Sequence, residues 1–230
     1  MRNTRRTRSE TVDDPRHSYL PGAGHDLLLP LYDSVQKWLG IPRLHQTLID
    51  LADLTGSART LEIGCGTGNL AILAKRLHPA TEVVGIDPDP RALARAGRKA
   101  GPALAVGFDQ GYGQELPYPD ASFDRVLSAF MFHHLDPEVK RRTLQEVLRV
   151  LEPGGGLHMV DFGGRVAASD GRMARLQLRS HRLRANMGDG IPRLLRDAGF
   201  ADVAESAHRT SRVGRVTYYR ALAPAVLSTP

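Results

Sequence analysis

A chain of 230 residues that is 41% hydrophobic and 24% charged can bury one substantial core, and a single soluble globular domain is expected. No apolar run approaches the ~20 residues that a membrane-crossing helix needs, which excludes a membrane span of that kind. The formal charge of +6 leaves anionic partners open, but only four of the 31 basic residues are lysine and the arginines are dispersed, so nucleic acid is an unlikely partner.

Residues 1–17 are polar and arginine-rich without periodicity and read as a disordered basic arm. The pair Arg5-Arg6 is followed by no apolar stretch, which argues against export. Cys65 stands alone in the sequence, so an internal disulfide is excluded, a reducing cytoplasmic setting is expected, and no metal cluster is indicated. Residues 18–55 read as an N-terminal helical cap, with Leu44, Leu48, Leu51 and Leu54 at helical spacing and a break near Gly40 and Pro42. Within it His25, Tyr32 and Trp38 are candidates for one wall of a cleft, core packing being the expected role of Trp38.

From residue 56 the rhythm changes. The short apolar runs TLEIG, EVVGID, ALAVGF, FDRVLSAF and LHMVDF alternate with helical stretches, which predicts a parallel sheet covered by helices on both faces. Asp89-Pro90 and Asp136-Pro137 mark helix starts with a capping acid, and Pro79 and Pro153-Gly154-Gly155-Gly156 mark helix ends. Residues 165–190 interrupt the alternation and read as a lid. There Met173, Leu176, Leu183 and Met187 form an apolar stripe with Ser180 among them, beside a row of Arg172, Arg175, Arg179 and Arg182 that could hold an anionic group on an acceptor. ADVAESAHR and VGRVTYYRALA are joined by a turn too short for a crossover, so they pair antiparallel. The fold class expected for 56–225 is α/β: a doubly wound, Rossmann-like, mostly parallel seven-stranded sheet with an antiparallel C-terminal strand.

The segment LEIGCGTGNL runs from a strand through Gly64, Gly66 and Gly68 into a helix, and glycine there lets a ligand approach the main chain beside unpaired helix amides. Its G-x-G-x-G order differs from the dinucleotide G-x-G-x-x-G, because Asn69 follows the third glycine. About 20 residues on, Asp87 ends the next strand, where a carboxylate can accept the two hydroxyls of a ribose.

LEIGCGTG, VVGIDPDP, GQELPYPDASFDRVLSAFMFHHL and EVLRVLEPGGGLHMVDF, in this order, resemble the class I S-adenosylmethionine-dependent methyltransferases of the ubiquinone/menaquinone-biosynthesis type. That resemblance implies S-adenosylmethionine as cofactor, with Glu62, Cys65 and the Gly64–Gly68 loop at its methionine end, Asp87 on the ribose, Pro88 against the adenine and Ser128 as a further contact. It also implies a departure: Tyr112-Gly113 stand where the family has an acid and an alanine, so adenine recognition falls to Tyr112 and the Gly113 amide. The activity implied is methyl transfer to a small-molecule acceptor such as a quinol or phenol. A base for the acceptor would come from His133 or His134; adjacent residues point in different directions, so at most one faces the acceptor. A nucleic-acid methyltransferase and a non-catalytic cofactor-binding partner are the alternatives, and homodimerisation stays open.

Overall fold

The computed structural model describes residues 38–56, 59–177 and 180–225. The apolar runs become β1 (Arg59–Ile63), β2 (Glu82–Asp87), β3 (Val106–Gln110), β4 (Phe123–Ala129) and β5 (Leu151–Asp161), followed by β6 (Ala201–Ser211) and β7 (Gly214–Leu222). They form one sheet in the order β3-β2-β1-β4-β5-β7-β6. The first five pair in parallel, and β7 runs antiparallel between β5 and β6. Strand order reverses between β1 and β4, which opens a crevice beyond their carboxyl ends.

The described helices are α1 (Ile41–Ala52), α2 (Asn69–Leu77), α3 (Pro90–Ala100), α4 (Pro137–Val150), α5 (Gly171–Gln177), α6 (His181–Arg184) and α7 (Gly190–Asp197). Because side chains alternate across a strand, the sheet feeds two cores. Leu61, Ile63, Ile86 and Val126 meet Leu144 and Val147 of α4 and Leu195 of α7 on one face. Val83, Leu127 and Tyr218 meet Leu44 and Leu48 of α1 and Leu70 and Ala74 of α2 on the other. Each fully buried leucine contributes roughly 1.5–3 kcal/mol, enough to hold helices whose propensity alone would not.

Several expectations are corrected. Leu51 is 36% exposed, and Ile41, Ile49 and Ala52 complete the buried face of α1 instead. Pro153-Gly154-Gly155-Gly156 does not end a helix: α4 stops at Val150, β5 begins at once, and these residues bulge out between Phe123↔Leu151 and Arg125↔Gly156. The bulge is fixed by Gly154 N donating to Ala223 O (3.1 Å) and Ala223 N donating to Gly155 O (2.8 Å). The third strand starts only at Val106, behind a 3-10 turn over Pro102–Leu104. Asp89 caps α3 by accepting from Arg91 N, whereas Asp136 occupies the same position before α4 with no side-chain cap bond. Trp38 is not packed in the core but 67% exposed, with the Arg212 guanidinium 5.0 Å above its ring. Residues 165–190 carry α5 and α6, and Met173 on α5 is 50% exposed. The basic arm, His25 and Tyr32 lie outside the described residues.

Candidate active site

The loop after β1 is folded back on β2: Gly64 N (2.8 Å) and Cys65 N (3.1 Å) both donate to Ile86 O, and Gly68 N donates to Cys65 O (2.8 Å). Gly64, Gly66 and Gly68 have φ of 68°, 51° and 73°, the left-handed region that side chains resist. Their surroundings differ. A Cβ on Gly64 would stand 2.3 Å from Met131 Cγ, and one on Gly68 would stand 2.8 Å from the Phe108 ring and 2.9 Å from Ala96. A Cβ on Gly66 would meet nothing within 4 Å. Gly64 and Gly68 therefore serve close packing, and Gly66 is the member of the triplet that borders open space.

Asp87 is buried and faces the loop. Its Oδ2 accepts from Gly66 N (2.8 Å) and its Oδ1 from Asp89 N (2.9 Å), which leaves two of the four carboxylate lone-pair positions for a ligand. Pro88 follows at the rim, its carbonyl accepting from Gln110 Nε2 (3.4 Å). Glu62 lies below the loop, where Oε2 accepts from Ala71 N (2.7 Å) and burial pushes its carboxyl up to about 8. Lys99 reaches across from α3 and donates to Thr67 Oγ1 (3.1 Å) and Asn69 Oδ1 (2.5 Å), clamping the loop to the start of α2. The sequence reading missed Lys99, since a single lysine 30 residues away carries no local signal.

Cys65 turns inward: a Cβ on Gly85 would lie 2.9 Å from its Sγ, and burial raises the thiol well above its ordinary value, so this residue offers the site main chain only. Ser128, at the carboxyl end of β4, is buried with an Oγ that has no partner among the described residues. Tyr112 and Gly113 form the turn after β3, closed by Glu115 N donating to Tyr112 O (3.1 Å), with Gly113 packed against Thr143 of α4.

The two histidines lie on a 3-10 turn, Phe132–His134, directly after β4. Entry to that turn forces Phe130 to φ 54°, held there by Phe130 N donating to Val160 O (2.9 Å). His133 Nδ1 is 2.7 Å from Asp161 Oδ1, and its own amide donates to Asp161 Oδ2 (3.2 Å). Asp161, at the end of β5, is fully buried. His134 stacks on His133 with centroids 4.0 Å apart, and Phe162 closes the row at 4.9 Å from His133 and 5.5 Å from Phe130. The carboxylate partner separates two histidines that the sequence could not rank.

The lid is tied to the sheet below it. Asp170 accepts from Ala167 N (2.7 Å), Thr210 Oγ1 (2.7 Å) and Arg215 Nη1 (3.3 Å), and Gly188 N donates to Gly164 O (2.9 Å). A glycine cradle, an acid one strand away and a histidine–carboxylate pair thus all lie at the carboxyl ends of β1, β2, β4 and β5, where the strand order reverses.

Residues 60–155 match the family described as "Methyltransferase domain". The match runs from β1 into the first residues of β5, under half of the chain. Among curated relatives, a demethylmenaquinone methyltransferase of Thermus thermophilus is 38% identical over 59% of this chain and 62% of its own length. One of Deinococcus radiodurans is 37% identical over 65% of this chain and 63% of its own. The chain thus spans about three fifths of the length of these relatives. Among solved structures, an S-adenosylmethionine-dependent methyltransferase from Aquifex aeolicus superposes with a TM-score of 0.62 at 20% identity, covering 83% of this chain and 97% of that one. The [4+2]-cyclase SpnF does so with 0.65 at 24% identity, covering 80% of this chain and 81% of that one. Likenesses of that degree establish the Rossmann-like fold alone, and the cyclase shows that such a fold can serve other chemistry.

Proposed function

We propose that the protein is an S-adenosylmethionine-dependent methyltransferase that acts on a quinol, phenol or related small molecule, with His133 as its base. The observation that carries this reading is the His133–Asp161 pair, 2.7 Å long, brought to the glycine loop by the contact of Met131 with Gly64.

The residues present suit the cofactor. Open space above Gly66, two spare acceptor positions on Asp87, the buried Glu62 and the unpartnered Ser128 Oγ are what a polar, cationic nucleoside would use. Asp87 would hold the ribose, Glu62 and the loop amides the methionine end, and Pro88, Tyr112 and the Gly113 amide the adenine. When bound, the cofactor supplies a methyl already activated on a sulfonium.

The protein's own work is alignment, water exclusion and proton removal. With Nδ1–H donating to Asp161, the His133 ring presents Nε2 to an acceptor hydroxyl and the imidazolium formed is stabilised by the buried carboxylate. Phe162, its ring centroid 4.9 Å from that of His133, and Phe130, tilted 52° to Phe162, add apolar aromatic surface beside the base. The names of the curated relatives favour a quinol-type acceptor over a nucleic acid. The test is methyl transfer from labelled S-adenosylmethionine to a panel of quinols, phenols and amines beside RNA. Labelled small-molecule product that disappears in His133→Ala supports the proposal, and label in RNA alone refutes it.

A further inference from the structure

The turn that carries Tyr112 and Gly113 is held from both ends. On one side Gly111 N donates to the main-chain oxygen of Asp87 (3.2 Å), so the turn is tied to the acid that faces the glycine loop. On the other side the chain runs through residues 114–122, which form neither helix nor strand before β4 begins. Such a stretch keeps one shape only where groups outside it satisfy its main chain.

Those groups come from α4, at positions one turn apart. Thr143 packs on Gly113, where a Cβ would stand 3.1 Å from Thr143 Cγ2. Glu146 Oε2 accepts from Leu116 N (2.8 Å). Arg149 donates through Nη2 to Leu116 O (3.0 Å) and through Nη1 to Tyr118 O (2.8 Å) and Asp120 Oδ1 (2.7 Å). Its Nε and Nη2 also donate to the two oxygens of Glu146, both at 2.8 Å, which fixes the plane of the guanidinium. One side-chain pair thereby satisfies both main-chain groups of Leu116, whose side chain is buried in the core shared with Leu144 and Val147 of α4. From there Glu115 N reaches back to Tyr112 O (3.1 Å) and closes the turn.

The same helix holds a pair for comparison. Arg141 and Glu138 have the same three-residue spacing, but Arg141 donates only within α4, to Glu138 and to Gln145 Oε1 (3.2 Å). That pair binds the helix to itself, whereas Glu146 and Arg149 bind the helix to the loop.

We propose that Arg149, oriented by Glu146, is a positioning residue for the base of the cofactor: it holds the Tyr112–Gly113 turn where the Gly113 amide meets adenine. The proposal rests on the reading of Gly113 as an adenine contact, and the experiment separates the two. Adenine N1 accepts a hydrogen bond, whereas N1 of hypoxanthine carries a hydrogen and cannot accept from an amide. A donor held in place discriminates between these bases, and a donor free to move discriminates less.

Calorimetric competition on the full chain compares S-adenosylhomocysteine with S-inosylhomocysteine. The readout is the ratio of the two affinities, because damage spread over the whole fold weakens both ligands alike. Wild type is expected to favour the adenosyl ligand by about tenfold or more. Folded Arg149→Met is expected to narrow that ratio by about threefold or more, Arg149→Lys, which keeps the charge without the planar fork, to fall between, and Arg141→Met to match wild type. An undiminished ratio in folded Arg149→Met overturns the proposal, as does an equal narrowing in Arg141→Met. Should Arg149→Met fail to fold, Glu146→Leu, which strips Leu116 N of its acceptor and releases the guanidinium, carries the same expectation, and an undiminished ratio there overturns the proposal equally. A wild type that binds both ligands alike would instead defeat the assignment of adenine to Gly113, and the proposal with it.

Discussion

Gly64 and Met131 are in such close contact that the loop after β1 and the turn after β4 cannot move independently: a Cβ on Gly64 would overlap Met131 Cγ at 2.3 Å. Gly64→Ala adds that overlap to a left-handed φ of 68°. Strain of about 1–2 kcal/mol from the backbone and roughly 1–3 kcal/mol from overpacking are expected. We expect Gly64→Ala to lower both thermal stability and S-adenosylmethionine affinity, and Gly64→Ala with Met131→Ala to recover only the packing share. Equal loss in the single and double variants would show that Met131 is not what confines the loop.

Asp87 fixes the Gly66 amide at 2.8 Å and faces the space where a sugar would lie. Removing a charged hydrogen-bond partner costs about 1.5–3 kcal/mol. Asp87→Ala should therefore weaken S-adenosylhomocysteine binding roughly 10- to 100-fold by calorimetry, with Asp87→Asn between it and wild type. An affinity unchanged in both would remove Asp87 from the cofactor site.

The raised carboxyl of Glu62, at about 8, leads to two pH effects. In the folded protein it holds a proton that the unfolded chain releases above its ordinary range near 4.5, so folding stability falls as pH rises toward 8. The slope approaches about 1.4 kcal/mol per pH unit. His45 and His158, pushed down to about 4 by burial, act oppositely, since stability rises with pH between 4 and 6.5 as their unfolded forms lose protons. Above pH 7 those histidines are neutral in both states, and denaturant titrations from pH 7 to 8 should isolate Glu62. Wild type is expected to lose stability over that interval and Glu62→Gln to lose little; parallel curves would contradict the assignment. Because the cofactor's ammonium favours ionised Glu62, binding near pH 7 should also release a proton, read from calorimetry in buffers of different ionisation enthalpy.

His133→Ala and Asp161→Asn are expected to lower kcat by about 10²-fold or more while leaving cofactor affinity within twofold, as loss of general base catalysis requires. His134→Ala, which removes a stacking neighbour at 4.0 Å, should cost much less. A larger loss in His134→Ala than in His133→Ala would reverse the assignment.

The sheet was legible in the sequence because β1, β2, β4 and β5 carry short apolar runs, of which those in β1, β2 and β5 are ended by a glycine or an acid, signals that act within a few residues. The Pro153–Gly156 bulge was misread because those residues stop a helix and bulge a strand equally well, and the deciding bonds come from Ala223. The same distance effect hid the partners of Lys99 and Arg149, which lie 30 and 33 residues away. Adjacent His133 and His134 were indistinguishable until Asp161, 28 residues on, selected one of them. The exposure of Trp38 escaped notice for a related reason: its partner Arg212 arrives from the hairpin between β6 and β7.

The central claim is that the cleft beside Gly66 and Asp87 takes an adenosyl methyl donor. Calorimetric titration of the full chain with S-adenosylmethionine tests it most directly. One equivalent is predicted to bind the wild type, with a competing equivalent of S-adenosylhomocysteine displacing it and Asp87→Ala weakening it. Absence of binding by the folded wild type at millimolar donor would contradict the account.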